Sequence, residues 1–245
     1  MKNVLKHYRF HRDWLSGQDF HLTQISAKET ELQVLTSRKA DKRAIEEKIR
    51  IMREDIENYI ERDRMFLVSL KPVTVTKDAP LIVKEMAQCA KLINCGPMTT
   101  LPGAIAGLLG RELLEDGFKD VVVKNATSIF IKSRKTLAIN FYTGRSKIWS
   151  KLRLKIKPKD TPLGIAIQAG SQAQDINFGC ADNVFVLSAD TALAQGVAVS
   201  VSNRINSKSD MQRALDFARN IKGIAGVAII LKNNMLSWGK IEISA

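Results

Sequence analysis

The chain has 245 residues, 45% hydrophobic and 26% charged, which suits one large domain or two closely packed halves with a full-sized core. Residues 1–12 carry bases but no apolar run, so no secretory signal is expected, and no uncharged stretch approaches the roughly 20 apolar residues of a membrane helix. A net charge of +13 leaves two readings open, a phosphate-bearing partner or a basic solvated surface.

In chain order, residues 8–36 read as a β-rich start, with alternating runs at 21–25 and 31–36 joined into a hairpin by a polar stretch. His7, His11 and His21 are the only histidines, and no carboxylate completes a metal site with the first two. A triad or histidine-ligated metal is therefore not expected. Residues 41–63 give the clearest helix, with Ile45, Ile49, Met52, Ile56, Tyr59 and Ile60 on one face. Residues 66–76 run extended, with Pro72 confining them to an edge or an end. Asp78 then caps a helix whose buried face is Ile82, Met86, Cys89, Ala90 and Ile93.

That helix leads into Asn94-Cys95-Gly96-Pro97-Met98-Thr99-Thr100-Leu101-Pro102-Gly103, the stretch around which the chain is organised. Gly96-Pro97 marks a turn, Thr99 and Thr100 can cap a helix, and Pro102 suits its first turn. Gly103, Ala106, Gly107 and Gly110 then leave one helical face nearly free of side chains, up to a helix end near Gly117. Glycine costs a helix interior about 1 kcal/mol against alanine, so the stripe needs a reason. Either another backbone packs closely there, or N–H groups of residues 98–103 hold an anion at the helix start. The three cysteines, Cys89, Cys95 and Cys180, form no ligand spacing, and their odd number points to a reducing cytoplasm. Cys95, in the loop, is the one to test as a reactive thiol.

From residue 119 the pattern turns to strands, at 119–123, 129–132, 137–142, 152–156 and 163–169. Asn125-Ala126-Thr127-Ser128 makes a polar corner, and Gly170-Ser171-Gln172-Ala173-Gln174-Asp175 a polar loop. Residues 183–188 are strand and 190–204 helix; Ser209 or Asp210 caps a helix to about 220, and 227–244 form a hairpin turning at Asn233-Asn234. The blocks give an α+β class with two halves sharing one layered core. Between residues 119 and 159 twelve bases face one acid, Asp120. In Lys151-Leu152-Arg153-Leu154-Lys155-Ile156-Lys157 bases and aliphatics alternate, so they line opposite faces of a strand.

Gly96-Pro97-Met98 followed by Pro102-Gly103-Ala104-Ile105-Ala106 resembles the signature of an uncharacterised ApbE-like family, relatives of the FAD:protein FMN transferases. Ser69-Leu70-Lys71-Pro72-Val73, Gly110-Arg111-Glu112-Leu113-Leu114, Pro162-Leu163-Gly164, Phe178-Gly179, Ala181-Asp182, Asn203-Arg204 and Trp238-Gly239 extend the resemblance over about residues 8–244. It implies one ApbE-like α+β domain over residues 1–245. Two pseudo-repeated halves of antiparallel sheet and helices, about 1–118 and 119–245, would enclose a nucleotide-sized cleft. FAD or FMN would be the cofactor, and a small anionic molecule the ligand. The ligand-binding candidates are Gly96, Met98, Thr99, Thr100, Gly103, Asn125, Thr127, Gly170, Ser171, Gln174, Asp175 and Asp182.

The departures from that pattern decide what carries over. Only Asn125 survives of a Glu-Asn-Gly-Gly-Asp corner, Gln174 stands where the family has a histidine, and Gln195 and Val199 stand where an Asp and a Thr help hold Mg²⁺. An amide and a valine make a poor site for a hard cation, so Mg²⁺ is not expected. Without it, binding is favoured over transfer of FMN, and no catalytic residue is assigned. Three readings follow. The first is a cytoplasmic protein that binds a flavin or nucleotide-like anion without transferring it, auxiliary to sulfur or cofactor metabolism. The second is an enzyme using Asp175, Asp182, Cys95 or Ser171. The third, binding nucleic acid through residues 119–159, is disfavoured, because Phe130, Phe141, Tyr142 and Trp149 are the only aromatics there and no RNA-binding signature is present.

Overall fold

A computed structural model describes residues 15–16, 20–27, 30–140, 152–168 and 179–244. The elements are β1 Leu15–Ser16, β2 His21–Ala27, β3 Thr30–Thr36, α1 Lys42–Arg62, α2 Met65–Val68, α3 Leu81–Ile93, α4 Leu101–Glu115, β4 Val121–Asn125, β5 Ser128–Lys132 and β6 Leu137–Asn140. They continue with β7 Arg153–Ile156, β8 Leu163–Gln168, β9 Asn183–Ser188, α5 Thr191–Ser202, α6 Met211–Arg219, β10 Ile224–Leu231, β11 Asn234–Gly239 and β12 Ile243–Ser244. This is the expected α+β class.

Eight strands form one antiparallel sheet in the order β11-β10-β9-β8-β5-β4-β3-β2, and four form a second, β1-β6-β7-β12. The period-2 alternation of the strands divides the interior into two cores. Val34, Val121, Val123, Phe130, Ala166, Val184, Val186, Val227 and Ile229 face the helices. Val122, Ile129, Ile131, Ile165, Phe185, Leu187 and Ile230 face the small sheet, which answers with Leu137, Ile139, Leu154 and Ile156. The result is three layers, helices on the large sheet and the large sheet on the small one.

Local chemistry explains most element ends. Asp41 accepts a hydrogen bond from the Arg43 N–H at 2.9 Å and starts α1, whose Ile45, Ile49, Met52, Ile56 and Tyr59 are buried as the spacing predicts. Asn94, in the left-handed conformation, ends α3 while Cys95 N–H returns to the Ala90 carbonyl at 3.0 Å. Asp190 receives the N–H groups of Ala192 and Leu193 at 2.8 and 3.1 Å and starts α5. Asp120, the one acid of the basic segment, is buried and receives the Arg134 backbone N–H at 2.7 Å and its guanidinium at 2.7 and 3.0 Å. Burial pushes its carboxyl up, but those bonds and the Arg134 charge hold it below the usual range.

Several expectations are corrected. Residues 66–76 are not extended throughout, because Met65–Val68 is a short helix with Phe66 buried edge-on against Tyr59, ring centroids 5.3 Å apart. Asp78 does not cap α3. It turns back to Thr76, and Pro80 precedes the helix with no side-chain cap. Neither Thr99 nor Thr100 caps α4: both lie in a 3₁₀ turn, Pro97–Thr100, and the Thr100 hydroxyl donates to the Pro97 carbonyl at 2.8 Å. The capping box before α6 belongs to Ser207, and no side chain caps that helix at Asp210. The last hairpin turns at Lys232-Asn233, one residue early, and its final strand crosses to the small sheet beside β7. Phe141, Tyr142 and Ala169 lie outside the described residues. Among those described, no single helix is long and apolar enough to cross a membrane.

Candidate functional site

The stretches that carry the resemblance are far apart in sequence, yet several meet at one end of the large sheet. β4 and β5 turn over there at Ala126-Thr127, β8 ends there at Gln168, and β9 begins there at Asn183. The start of α4 lies over the same end, where Asn125 Nδ2 donates to the Pro102 carbonyl at 3.1 Å. Ala126 holds a φ of 49°, a conformation that favours glycine or asparagine, so the turn carries strain an alanine does not relieve.

Glycines mark where these stretches touch. A Cβ on Gly96 would stand 1.9 Å from the Ser69 carbonyl oxygen, and one on Gly179 would stand 1.7 Å from that of Ser202. A Cβ on Gly103 would stand 2.3 Å from the Thr191 carbonyl oxygen and 2.9 Å from Gln195 Cβ. Of the two reasons open for the stripe, close backbone packing is the one present at Gly103. Gly103 is buried against α5, and Thr100 is fully buried. Met98 and Thr99 keep partial exposure at the loop.

Thr127 joins the site through α5 rather than through solvent. Its hydroxyl donates to Gln195 Oε1 at 3.0 Å, and the Ser128 hydroxyl donates to the same oxygen at 2.8 Å. Gln195 is 1% exposed. Asp182 is at the same sheet end but turned away from the loop, because its carboxylate receives the Lys232 N–H and so fixes the β10–β11 turn. Gly170, Ser171, Gln174 and Asp175 lie outside the described residues. Trp238-Gly239 is remote, on the edge strand beside Val227 and Gly226. The sequence reading missed Ser128 and Gln168, and took Gln195 only as a displaced metal ligand. The one long polar side chain in an otherwise small and apolar α5 was the available signal.

The donor set does not fit Mg²⁺. Gln195 Oε1 is engaged by two hydroxyls, Val199 offers no donor, and no group of three or more His, Cys, Asp or Glu among the described residues could hold a metal. Gln195 instead braces the β4–β5 turn against α5. Gln195→Ala should cost about 2 kcal/mol by orphaning the buried Ser128 hydroxyl, read as a fall in the urea midpoint. The wild-type midpoint should be the same in EDTA and in millimolar Mg²⁺. A Mg²⁺-dependent rise that disappears in Gln195→Ala would restore a metal site.

Cys95 does not fit a nucleophile. Burial pushes its thiol up to about 11, more than the Thr99 hydrogen bond and the Arg204 charge draw it down, and Sγ donates to the Gly96 carbonyl at 3.3 Å. Cys89 is buried and raised further, first by desolvation and then by Asp190, to which it donates at 3.3 Å. Lys124, one residue before Asn125, faces the small sheet, where burial draws its ammonium down to about 8.

The basic strand keeps its expected alternation, with Arg153 and Lys155 exposed and Leu154 and Ile156 buried. Those bases lie on the outer face of the small sheet, however, so the whole large sheet separates them from the loop. They cannot serve a compact ligand at the loop. Lys155 and Lys157 both pair with Glu242, at 3.3 and 2.5 Å. Two surface cavities, of about 660 and 700 Å³, are lined by residues 39–43 with Glu46 and by residues 21–24 with Lys39, Ala40 and Lys42, and the loop borders neither.

A family model described as AbpE bacteria matches residues 12–242. The chain is similar to the UPF0280 protein of Methanococcoides burtonii, 32% identical over 196 residues, which cover 80% of this chain and 82% of that one. It is also similar to the UPF0280 protein of Methanocaldococcus jannaschii, 30% identical over 223 residues and covering 89% and 90%. Among solved structures it resembles the flavin transferase ApbE from Vibrio cholerae, with a TM-score of 0.61, 13% identity, and 90% and 96% of the two chains covered. The apo flavinyl transferase ApbE of Pseudomonas stutzeri gives a TM-score of 0.60 at 9% identity, covering 91% and 95%. At those identities the likeness is one of fold.

Proposed function

The chain belongs to the AbpE bacteria family, and on that premise we propose that it binds a flavin or a related nucleotide-like anion without transferring it. The carrying observation is the neutral character of the brace at the loop: Asn125 to Pro102, and Thr127 and Ser128 to Gln195. The structural neighbours from Vibrio cholerae and Pseudomonas stutzeri are flavin transferases. Splitting a pyrophosphate needs its charge neutralised, usually by a divalent cation held on carboxylates. Binding needs only shape, backbone donors and a few polar groups. A flavin fits one further feature of this chain, a buried amide at the same sheet end with unspent hydrogen bonds. The cytoplasm, with a role auxiliary to sulfur or cofactor metabolism, is the setting this reading carries, and nucleic acid is not its partner.

The test is the visible spectrum of the purified protein with mass spectrometry of any co-purifying small molecule, followed by FAD and FMN titration in EDTA. Saturable quenching of flavin fluorescence without Mg²⁺, and no covalent FMN on an acceptor protein, is expected. Mg²⁺-dependent FMN transfer would replace this reading with that of an active transferase. Binding of a random oligonucleotide with a steep salt slope, and of no flavin, would replace it with the nucleic-acid reading.

A further inference from the structure

Gln168 is fully buried at the end of β8, and neither its Nε2 nor its Oε1 has a hydrogen-bond partner among the described residues. Strand alternation places it on the helix-facing side with Gly164 and Ala166. Gly164 lies against Thr191 of α5, and Ala166 pairs with Ser128, whose hydroxyl is held by Gln195. Gln168 is two residues, about 6.6 Å, further toward the sheet end that carries the Asn125–Ser128 turn. The Ile167 N–H binds the Thr127 carbonyl there at 2.9 Å. The polar side chains of the turn are thus engaged, and the amide beside them is not. Asn183 and Thr191 also hold orphaned buried atoms, but Asn183 faces the small sheet and Thr191 lies at the far end of α5.

A buried polar group left without its bond costs about 1–3 kcal/mol, and this side chain has two such groups. A leucine or methionine would fill the same space at no such cost. Buried groups of this kind persist where they are used. A carboxamide offers one acceptor and one donor side by side, the complement of a ring edge that presents an adjacent donor and acceptor. The imide edge of a flavin and the edges of nucleobases are of this kind, as in paired recognition of adenine by glutamine. We propose that Gln168 reads the ligand of this site by pairing with such an edge. The proposal rests on the binding reading above and adds a selection to it: the ligand is a heterocycle with an amide- or imide-type edge, and a phosphate alone does not satisfy the site.

The first measurement needs no ligand. Urea unfolding of Gln168→Leu and Gln168→Met should give midpoints at or above that of the wild type, because the exchange removes orphaned groups. A clear fall in both variants would mean that the amide is already satisfied in the free protein, by water or by the chain, and would overturn the proposal. The second measurement titrates FMN, N3-methyl-FMN, AMP, UMP and pyrophosphate against wild type and Gln168→Met. Wild type should bind FMN at least about tenfold more tightly than N3-methyl-FMN, the loss of one paired hydrogen bond, and the preference should vanish in the variant. Flavin binding indifferent to N3-methylation and to Gln168→Met would overturn the proposal while leaving flavin binding in place. Binding of none of the five by the wild type would overturn the binding reading itself, and this proposal with it.

Discussion

Gly103→Ala should destabilise the protein by about 3 kcal/mol, the upper end of what overpacking a core costs. On an exposed helical face the same exchange gains about 1 kcal/mol, so the sign alone is diagnostic. The reason is that the atoms in the way are backbone. The new methyl would stand 2.3 Å from the Thr191 carbonyl oxygen and 2.9 Å from Ala192 Cα, and neither can swing aside as a side chain end would. Relief would require α4 and α5 to separate, opening the core that Ala104, Leu193 and Val197 close. Gly107→Ala is the control on the same stripe: its nearest foreign atoms are side-chain atoms of Thr191 at 3.3 Å, and its effect should be small. Urea unfolding reads both, with a lowered midpoint and unchanged slope for Gly103→Ala only. A Gly103→Ala protein of full stability that had lost flavin binding would return the stripe to the anion-cradle explanation.

The contrast shows what could and could not be read in advance. The spacing of Gly103, Ala106, Gly107 and Gly110 announced a helix face without side chains, and a helix face is a local property. Which element filled the space is not local: Thr191 is 88 residues away from Gly103 in sequence. The same division runs through the fold. The α1 stripe, the alternation of β7 and the β2–β3 hairpin follow from periodicity within one element, and all three are present. Met65–Val68 was misread because Met65, Leu67 and Val68 are exposed at 55%, 41% and 62%. An apolar run with one buried side chain, Phe66, has no helical period to show, and only its contact with Tyr59 distinguishes it from a strand. At the site, Asn125 and Thr127 were legible as a polar corner, but their partners were not. The Pro102 carbonyl carries no sequence signal, and Gln195 is recognisable as a brace only once β4, β5 and α5 lie together. The basic strand shows the same limit: its alternation is local and correct, whereas which sheet it joins is not a local property.

Gly110 and Phe130 should be strongly coupled, and the coupling separates packing from every other account of that glycine. A Cβ on Gly110 would lie 2.0 Å from Phe130 Cδ1 and 2.5 Å from Cγ, inside the ring. Phe130 is 3% exposed on the helix-facing side of β5, held between Val123 on β4 and Gly164 on β8, so the ring has no free space to enter. Gly110→Ala alone should cost about 3 kcal/mol, as overpacking against a ring that cannot turn away. Phe130→Ala alone should cost about 3–5 kcal/mol, since it removes a buried ring and leaves a void. If the two effects were independent they would add. Here the truncation removes Cγ and Cδ1, the atoms the new methyl would strike, so the double variant should be little worse than Phe130→Ala by itself. The interaction energy of the cycle should be about 3 kcal/mol and stabilising, at the upper end of the range for residues in contact. Urea unfolding of the four proteins measures it. Simple additivity would mean that Gly110 is required by the α4 backbone or by a ligand rather than by the ring, and the close approach of α4 to the large sheet would no longer explain the stripe.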